Sequence, residues 1–184
     1  MKRAVLAIVA LMLSWSSAVA CVGKTLVIGA TENPESRLVA QVIAILINER
    51  TGTSVRIQDF QDGEDLHRAL ATGLLDIAVE RTDQALERLG LGAAPDAQAA
   101  YQRVKAAYQE RLNLVWLPPL GPAGGGEALA APVVRKDTVK KFPALPRLIA
   151  KTEGLLSADV VAGLTHSGEP ARSARQFLRD KKLI

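Results

Sequence analysis

The sequence predicts an α/β fold, a mostly parallel sheet flanked by helices. Three observations predict it. Apolar runs of strand length recur along the chain, segments with helical apolar spacing lie between them, and capping or breaking residues separate the two. A chain of 184 residues is long enough to bury the core of one such domain.

Residues 25–29, Thr-Leu-Val-Ile-Gly, read as a buried strand followed by a loop. Asn33, Pro34 and Glu35 start a helix: a capping residue, a proline at the first helical position and an acid near the positive end of the dipole. Leu38, Val39, Val42, Ile43, Ile45 and Leu46 follow at helical spacing, and Thr51-Gly52 stops the run. Val55 and Ile57 alternate with Arg56 and Gln58 in a second strand. Asp62-Gly63 turns the chain into a short helix marked by Leu66, Ala69 and Leu70, and residues 75–79 form a third strand. Tyr101, Val104, Tyr108 and Leu112 share one helical face, and residues 113–117 form a fourth strand ended by Pro118-Pro119. Residues 121–126, Gly-Pro-Ala-Gly-Gly-Gly, read as a flexible linker. Residues 130–135 form another strand. Beyond it the chain is helical, with Asp137 and Ser157 as caps, Pro143 and Pro146 as breaks, and Glu169-Pro170 opening a last helix that buries Ala174, Phe177 and Leu178.

Strands alternating with helices imply parallel pairing with right-handed crossovers. Ligands in such sheets sit at the carboxyl ends of the strands. Those ends are residues 30–33, residues 80–84 and the segment after Leu117. They supply the candidate ligand-binding residues Thr31, Glu32, Asn33, Glu80, Arg81 and Thr82. Free N–H groups at the helix start after Ala30 could hold an anion, which Glu32 and Glu35 would oppose; plain helix capping is the other reading. Arg81 could grip a carboxylate with two hydrogen bonds, or could pair with Glu80, Asp83 or Glu32.

The first twenty residues stand apart from the fold. A basic start, Met1-Lys2-Arg3, precedes an apolar run at residues 4–13 that is too short to span a bilayer, and Ala18-Val19-Ala20 matches a signal-peptidase site. Residues 1–20 are therefore read as a signal peptide and 21–184 as a single α/β domain of a periplasmic or cell-surface protein. Cys21, directly after Ala20, stands where a bacterial lipoprotein carries its lipid. Ordinary cleavage leaving a free thiol is the alternative, and Ala18 replaces the Leu that lipoprotein sites prefer at that place. Any membrane contact is expected through that anchor, since no later segment is long and apolar enough to cross.

Composition excludes several classes. The net charge of +4 falls to +2 without Lys2 and Arg3, and the charges are mixed along the chain, so no nucleic-acid partner is expected. One cysteine allows neither an internal disulfide nor a cysteine-rich zinc site, and no metal or cofactor is expected. No phosphate-binding glycine loop, nucleophile elbow or zincin motif occurs. His67, near Asp62, Glu64 and Asp65, reads as part of a solvated helix face, with acid–base work as the alternative; His166 reads as a helix C-terminal cation. An enzyme is not expected.

Several segments together resemble the substrate-binding proteins of ABC transporters for glycine betaine, choline and related osmoprotectants. They are Leu26-Val27-Ile28-Gly29 with Glu35, Gly73-Leu74-Leu75-Asp76-Ile77 with Glu80 and Thr82, and the stretch from Tyr101 to Leu117. Ala130-Ala131-Pro132-Val133-Val134-Arg135-Lys136-Asp137, Leu156-Ser157-Ala158-Asp159 and Ala174-Arg175-Gln176-Phe177-Leu178 continue the likeness. The resemblance implies one lobe of a periplasmic-binding-protein-like fold. It also implies a small solute as ligand, a quaternary ammonium or other small polar molecule, and an ABC permease or a partner binding protein.

Relatives insert a second lobe between strands like residues 113–117 and 130–135, where this chain has only residues 121–126. The family's Pro-Glu-Tyr-Thr-Gly-Thr appears as Val79-Glu80-Arg81-Thr82-Asp83-Gln84, so Arg81 replaces a cage tyrosine, and a fixed cation repels a quaternary ammonium. Phe60, Tyr101, Tyr108, Trp116, Phe142 and Phe177 read as core by position, which leaves no cage. Two functions follow: a solute-binding transport component with a reduced site, or a non-transporting periplasmic interaction or sensor module.

Overall fold

The computed structural model describes residues 25–123, 126–166 and 169–184. The expected signal peptide, Cys21 and the middle of the glycine run lie outside the described residues. The strands are β1 (Leu26–Thr31), β2 (Val55–Phe60), β3 (Ile77–Arg81), β4 (Leu114–Trp116), β5 (Gly121–Pro122) and β6 (Leu129–Arg135). The helices are α1 (Pro34–Thr51), α2 (Gly63–Thr72), α3 (Thr82–Arg88), α4 (Ala97–Arg111), α5 (Lys136–Lys141), α6 (Leu145–Ile149), α7 (Ala158–Thr165) and α8 (Pro170–Asp180).

The strands form one sheet in the order β2-β1-β3-β6-β4, with β5 also paired to β6. β1 pairs in parallel with β2 and β3. The expectation of parallel crossovers fails at β6, which runs antiparallel to β3, β4 and β5. The cause is the connection: a turn-back from β5 replaces the helix that a parallel crossover needs. Consequently β1, β3 and β4 all point their carboxyl ends at the rim where β6 begins.

Successive side chains on a strand face opposite ways, and the two faces bury different sets. Leu26, Ile28, Ala30, Ile77 and Val134 meet α1 and the C-terminal helices on one face. Ala78, Leu114, Trp116, Ala131 and Val133 meet α2, α3 and α4 on the other. Gly29 permits the second packing, because a Cβ there would collide with Leu66 and Leu75.

Local signals act largely as expected. Asn33 Oδ1 accepts the Glu35 amide at 2.8 Å, and Asp62 Oδ1 accepts those of Glu64 and Asp65 at 2.9 Å. Four details depart from the sequence reading. β3 starts at Ile77, because Leu75 and Asp76 close the turn after α2, where Asp76 holds the Val27 amide and the Thr138 hydroxyl. Residues 82–84 open helix α3 instead of forming a loop. Asp137 lies in the first turn of α5, whose capping position is Arg135, and Ser157 occupies the capping position of α7 without a side-chain bond. Finally, the glycine run begins as a paired hairpin: Gly121 and Pro122 register with Ala130 and Leu129, and the Ala123 amide bonds to the Ala128 carbonyl.

Candidate functional site

The carboxyl ends of β1 and β3 and the β5–β6 hairpin enclose a cleft of about 310 Å³. Thr31 and Asn33 reach it from the end of β1, Glu35 and Ser36 from the first turn of α1, and Glu80, Arg81 and Gln84 from the β3–α3 junction. Leu120, Pro122 and Ala123 form the hairpin wall, and Leu156, Ala158 and Val161 close the far side. Four expected site residues therefore meet: Thr31, Asn33, Glu80 and Arg81. Glu32 is exposed and lies outside the lining. Thr82 is buried, and its hydroxyl accepts the Leu129 amide at 3.0 Å, so it ties α3 to the start of β6.

The floor of the cleft is a buried polar network. Glu80 shares a face of β3 with Ala78, since the two are two residues apart, and so turns toward α2 and α4. One of its oxygens meets His67 Nδ1 at 3.0 Å. The other accepts from Tyr108 Oη at 2.7 Å and from Arg88 at 2.9 Å. Arg88 also holds Glu64, at 3.0 Å through Nε and 2.8 Å through its second terminal nitrogen. His67, expected on a solvated helix face, has a side chain only 11% exposed. The helical period explains this: His67 follows Leu66 toward the sheet, whereas Asp65 and Arg68 pair with each other at the surface.

The electrostatics follow from these contacts. The hydrogen bond from Arg88 holds the Glu64 carboxyl below its ordinary range. Burial opposes the charge on Arg88, yet the Glu64 bond and the Glu80 field raise its pKa further. Burial, and then the Glu80 charge, push the Tyr108 phenol far above its ordinary value. At the cleft mouth Arg81 grips Asp83 through two bonds of 3.1 and 2.6 Å, which raises the pKa of Arg81 and lowers that of Asp83. The Arg81 fork that could have gripped a carboxylate ligand is thus engaged within the chain.

No aromatic side chain lines the cleft among the described residues. Tyr101, Tyr108, Trp116 and Phe177 are buried, and Phe60 and Phe142 pack half-buried against the core. Tyr108 and Tyr101 meet Trp116 edge-to-face at 5.3 and 6.2 Å. The cleft lining also carries the hydroxyl of Thr31, the side-chain amide of Gln84 and that of Asn33, whose oxygen caps α1. No cluster of three or more His, Cys, Asp or Glu is placed to hold a metal among the described residues.

Sequence reasoning placed Gln84 at this edge without naming it as a ligand residue, and it missed Arg88 and the polar role of Tyr108. Tyr108 was visible only as a residue on a helical face and Arg88 was not read at all, because their meeting over Glu80 depends on how α3 and α4 pack.

A family model described as the substrate-binding domain of the ABC-type glycine betaine transport system matches residues 24–132. The carnitine transport binding protein OpuCC of Listeria monocytogenes is 32% identical over 122 residues, which cover 64% of this chain and 38% of that protein. The match thus spans less than two fifths of the relative's length. Two solved structures share the fold. Apo YehZ from Escherichia coli gives a TM-score of 0.71 at 14% identity, covering 88% of this chain and 100% of the other. A glycine betaine/carnitine/choline ABC transporter crystal structure gives 0.78 at 13% identity, covering 86% and 99%.

Proposed function

The chain belongs to the family of substrate-binding domains of ABC-type glycine betaine transport systems, and on that premise we propose that it is an exported solute-binding component of an osmoprotectant-type transporter, reduced to one lobe with an altered ligand site. The observation that carries this reading is the cleft at the carboxyl ends of β1 and β3, the place where α/β sheets take ligands. The single-lobe reading is supported by the β5–β6 hairpin, which occupies the interval where the resemblance puts a second lobe. The altered-site reading is supported by the cleft lining, which carries Arg81 and no aromatic face. Its ligand is a small polar solute recognised by amides and hydroxyls. The role is binding and not catalysis: the oxygens of Glu80 are taken by His67, Arg88 and Tyr108.

A second reading has its own observation. The arginines of the cleft are engaged by acids of the same chain, Arg81 by Asp83 and Arg88 by Glu64 and Glu80. Such a surface suits an interaction or sensor module whose partner covers the cleft.

Calorimetry and thermal-shift measurements with glycine betaine, choline, carnitine, amino acids and small anions test the two. Enclosure by two lobes normally buries most of a small ligand, so quaternary ammoniums are expected to bind weakly or not at all. A solute that does fit adds about 2.7 kcal/mol of stability at a hundred times its Kd. Micromolar betaine binding by the isolated chain overturns the altered-site reading. Stabilisation by none of the solutes overturns the transport reading and leaves the second.

A further inference from the structure

We propose that the cleft selects a primary alkylammonium, with its nitrogen on the Glu35 carboxylate and its alkyl chain against Val39, Leu120, Leu156 and Val161. This rests on the solute-binding reading and names the chemical class of that solute.

The charges around the cleft favour a cation. Glu35, Glu64, Glu80 and Asp83 supply four carboxylates, against the two guanidiniums of Arg81 and Arg88 and the imidazole of His67. Arg81 is matched by Asp83, and Arg88 by Glu64 and Glu80. Glu35 is left over. It lines the cleft, and its carboxylate has no hydrogen bond or ion pair among the described residues. Backbone donors at the strand ends are meanwhile spent within the chain. The Thr31 amide reaches Ser36 Oγ at 3.0 Å, the Glu35 amide reaches Asn33 Oδ1 at 2.8 Å, and the Gln84 amide reaches Asp83 Oδ1 at 2.9 Å. An anion there would meet the Glu35 charge without these amides to offset it.

The lining also selects the form of the cation. A quaternary ammonium is held by aromatic faces, and among the described residues none lines the cleft. A primary ammonium carries three N–H donors instead, and its hydrogen bond to a carboxylate is charge-assisted. The Thr31 hydroxyl and the Gln84 side-chain carbonyl line the same cleft and offer further acceptors. The alkyl chain has its own seat. Val39 stands one turn after Glu35 on the same face of α1, about 5.4 Å along the axis. Leu120, Leu156 and Val161 line the cleft with it, and all four side chains are at most 8% exposed. A short alkyl chain on a nitrogen at Glu35 therefore reaches an apolar wall, and a volume of about 310 Å³ suits a small solute.

Calorimetric titration of the full chain with n-butylammonium, n-butyltrimethylammonium and pentanoate tests the class, since the three share a butyl group and differ in the head. n-Butylammonium is expected to bind most tightly, the trimethylated form several-fold more weakly and pentanoate not at all. Glu35→Gln should weaken n-butylammonium about tenfold. Its circular dichroism spectrum should match that of the parent, because the side chain is exposed. Glu32→Gln removes an equal charge from the neighbouring loop, outside the lining, and should change nothing. The comparison of heads on the parent chain needs no variant, so it stands if Glu35→Gln misfolds. Equal or tighter binding of the trimethylated form or of pentanoate overturns the inference, as does an equal loss with Glu32→Gln. If n-butylammonium fails while an amino acid, a small anion or another osmoprotectant stabilises the chain, the inference falls and the transport reading stands. If no solute binds, both fall.

Discussion

On one face of the sheet α1 buries Leu38, Ile43, Leu46 and Ile47 against Leu26 and Ile28, all within 1% of full burial. On the other face the helices bury Tyr108 and Trp116 together with Glu80, which is 5% exposed and tied to His67, Arg88 and Tyr108. The aliphatic face is non-directional: any apolar group of similar volume satisfies it. The polar face is directional, because each buried donor or acceptor needs its partner at a set position. The difference teaches where geometry is fixed most tightly in this molecule, which is beneath the cleft.

The largest expected effect breaks the polar face. Glu80→Ala leaves Arg88 with the exposed Glu64 as its remaining carboxylate and takes the buried acceptor from Tyr108, and a loss of about 3–5 kcal/mol is expected in urea unfolding. A loss below that of a conservative aliphatic swap would make the two faces equivalent. Thr82→Val comes next. It leaves the Leu129 amide without its acceptor, an expected loss of about 1–3 kcal/mol, with hydrogen exchange faster at Leu129. On the aliphatic face Leu46→Met conserves volume and should cost less than about 1.5 kcal/mol. Arg81→Ala is the smallest. Its pair with Asp83 is exposed by 37% and 50%, so stability should change by about 0.5 kcal/mol or less in urea unfolding.

Acid sharpens the same contrast. Glu64 and Asp83 have folded-state pKa values lowered by Arg88 and Arg81. The stability they contribute is complete above the ordinary carboxylate pKa of about 4 and is lost as pH falls through the lowered folded value. Circular dichroism during acid titration should show Arg81→Ala losing less stability than the parent chain over that window. An identical acid profile would mean that the mouth pair contributes nothing.

What was legible in the sequence follows the same division. Periodicity and capping placed β1, α1, β2, α2, α4, β6 and α8, because those signals act within a few residues. They also brought Thr31, Asn33, Glu80 and Arg81 to one rim, since strand direction alone determines which loops meet. The parts that were not legible depend on contacts between distant segments. His67 joins Glu80 across thirteen positions, and Tyr108 does so across twenty-eight. Helix α3 was obscured by its charged start, Thr82-Asp83, which reads as a turn until the Thr82 hydroxyl is seen engaged by Leu129. The hairpin was obscured by its glycines, which describe what the backbone is able to do and not what β6 obliges it to do.

That hairpin has a consequence for how such a protein changes over generations and under engineering. Gly121 and Ala130 are ladder partners, so the chain leaves the sheet and returns to it at adjacent points. Material spliced between them needs only neighbouring ends, and each doubling of an unstructured loop there costs only about 0.6 kcal/mol. Among the described residues neither core takes a side chain from residues 121–128, so neither core would register the event. The position works as a port: whole modules can enter or leave there, and the sheet that carries them keeps its register.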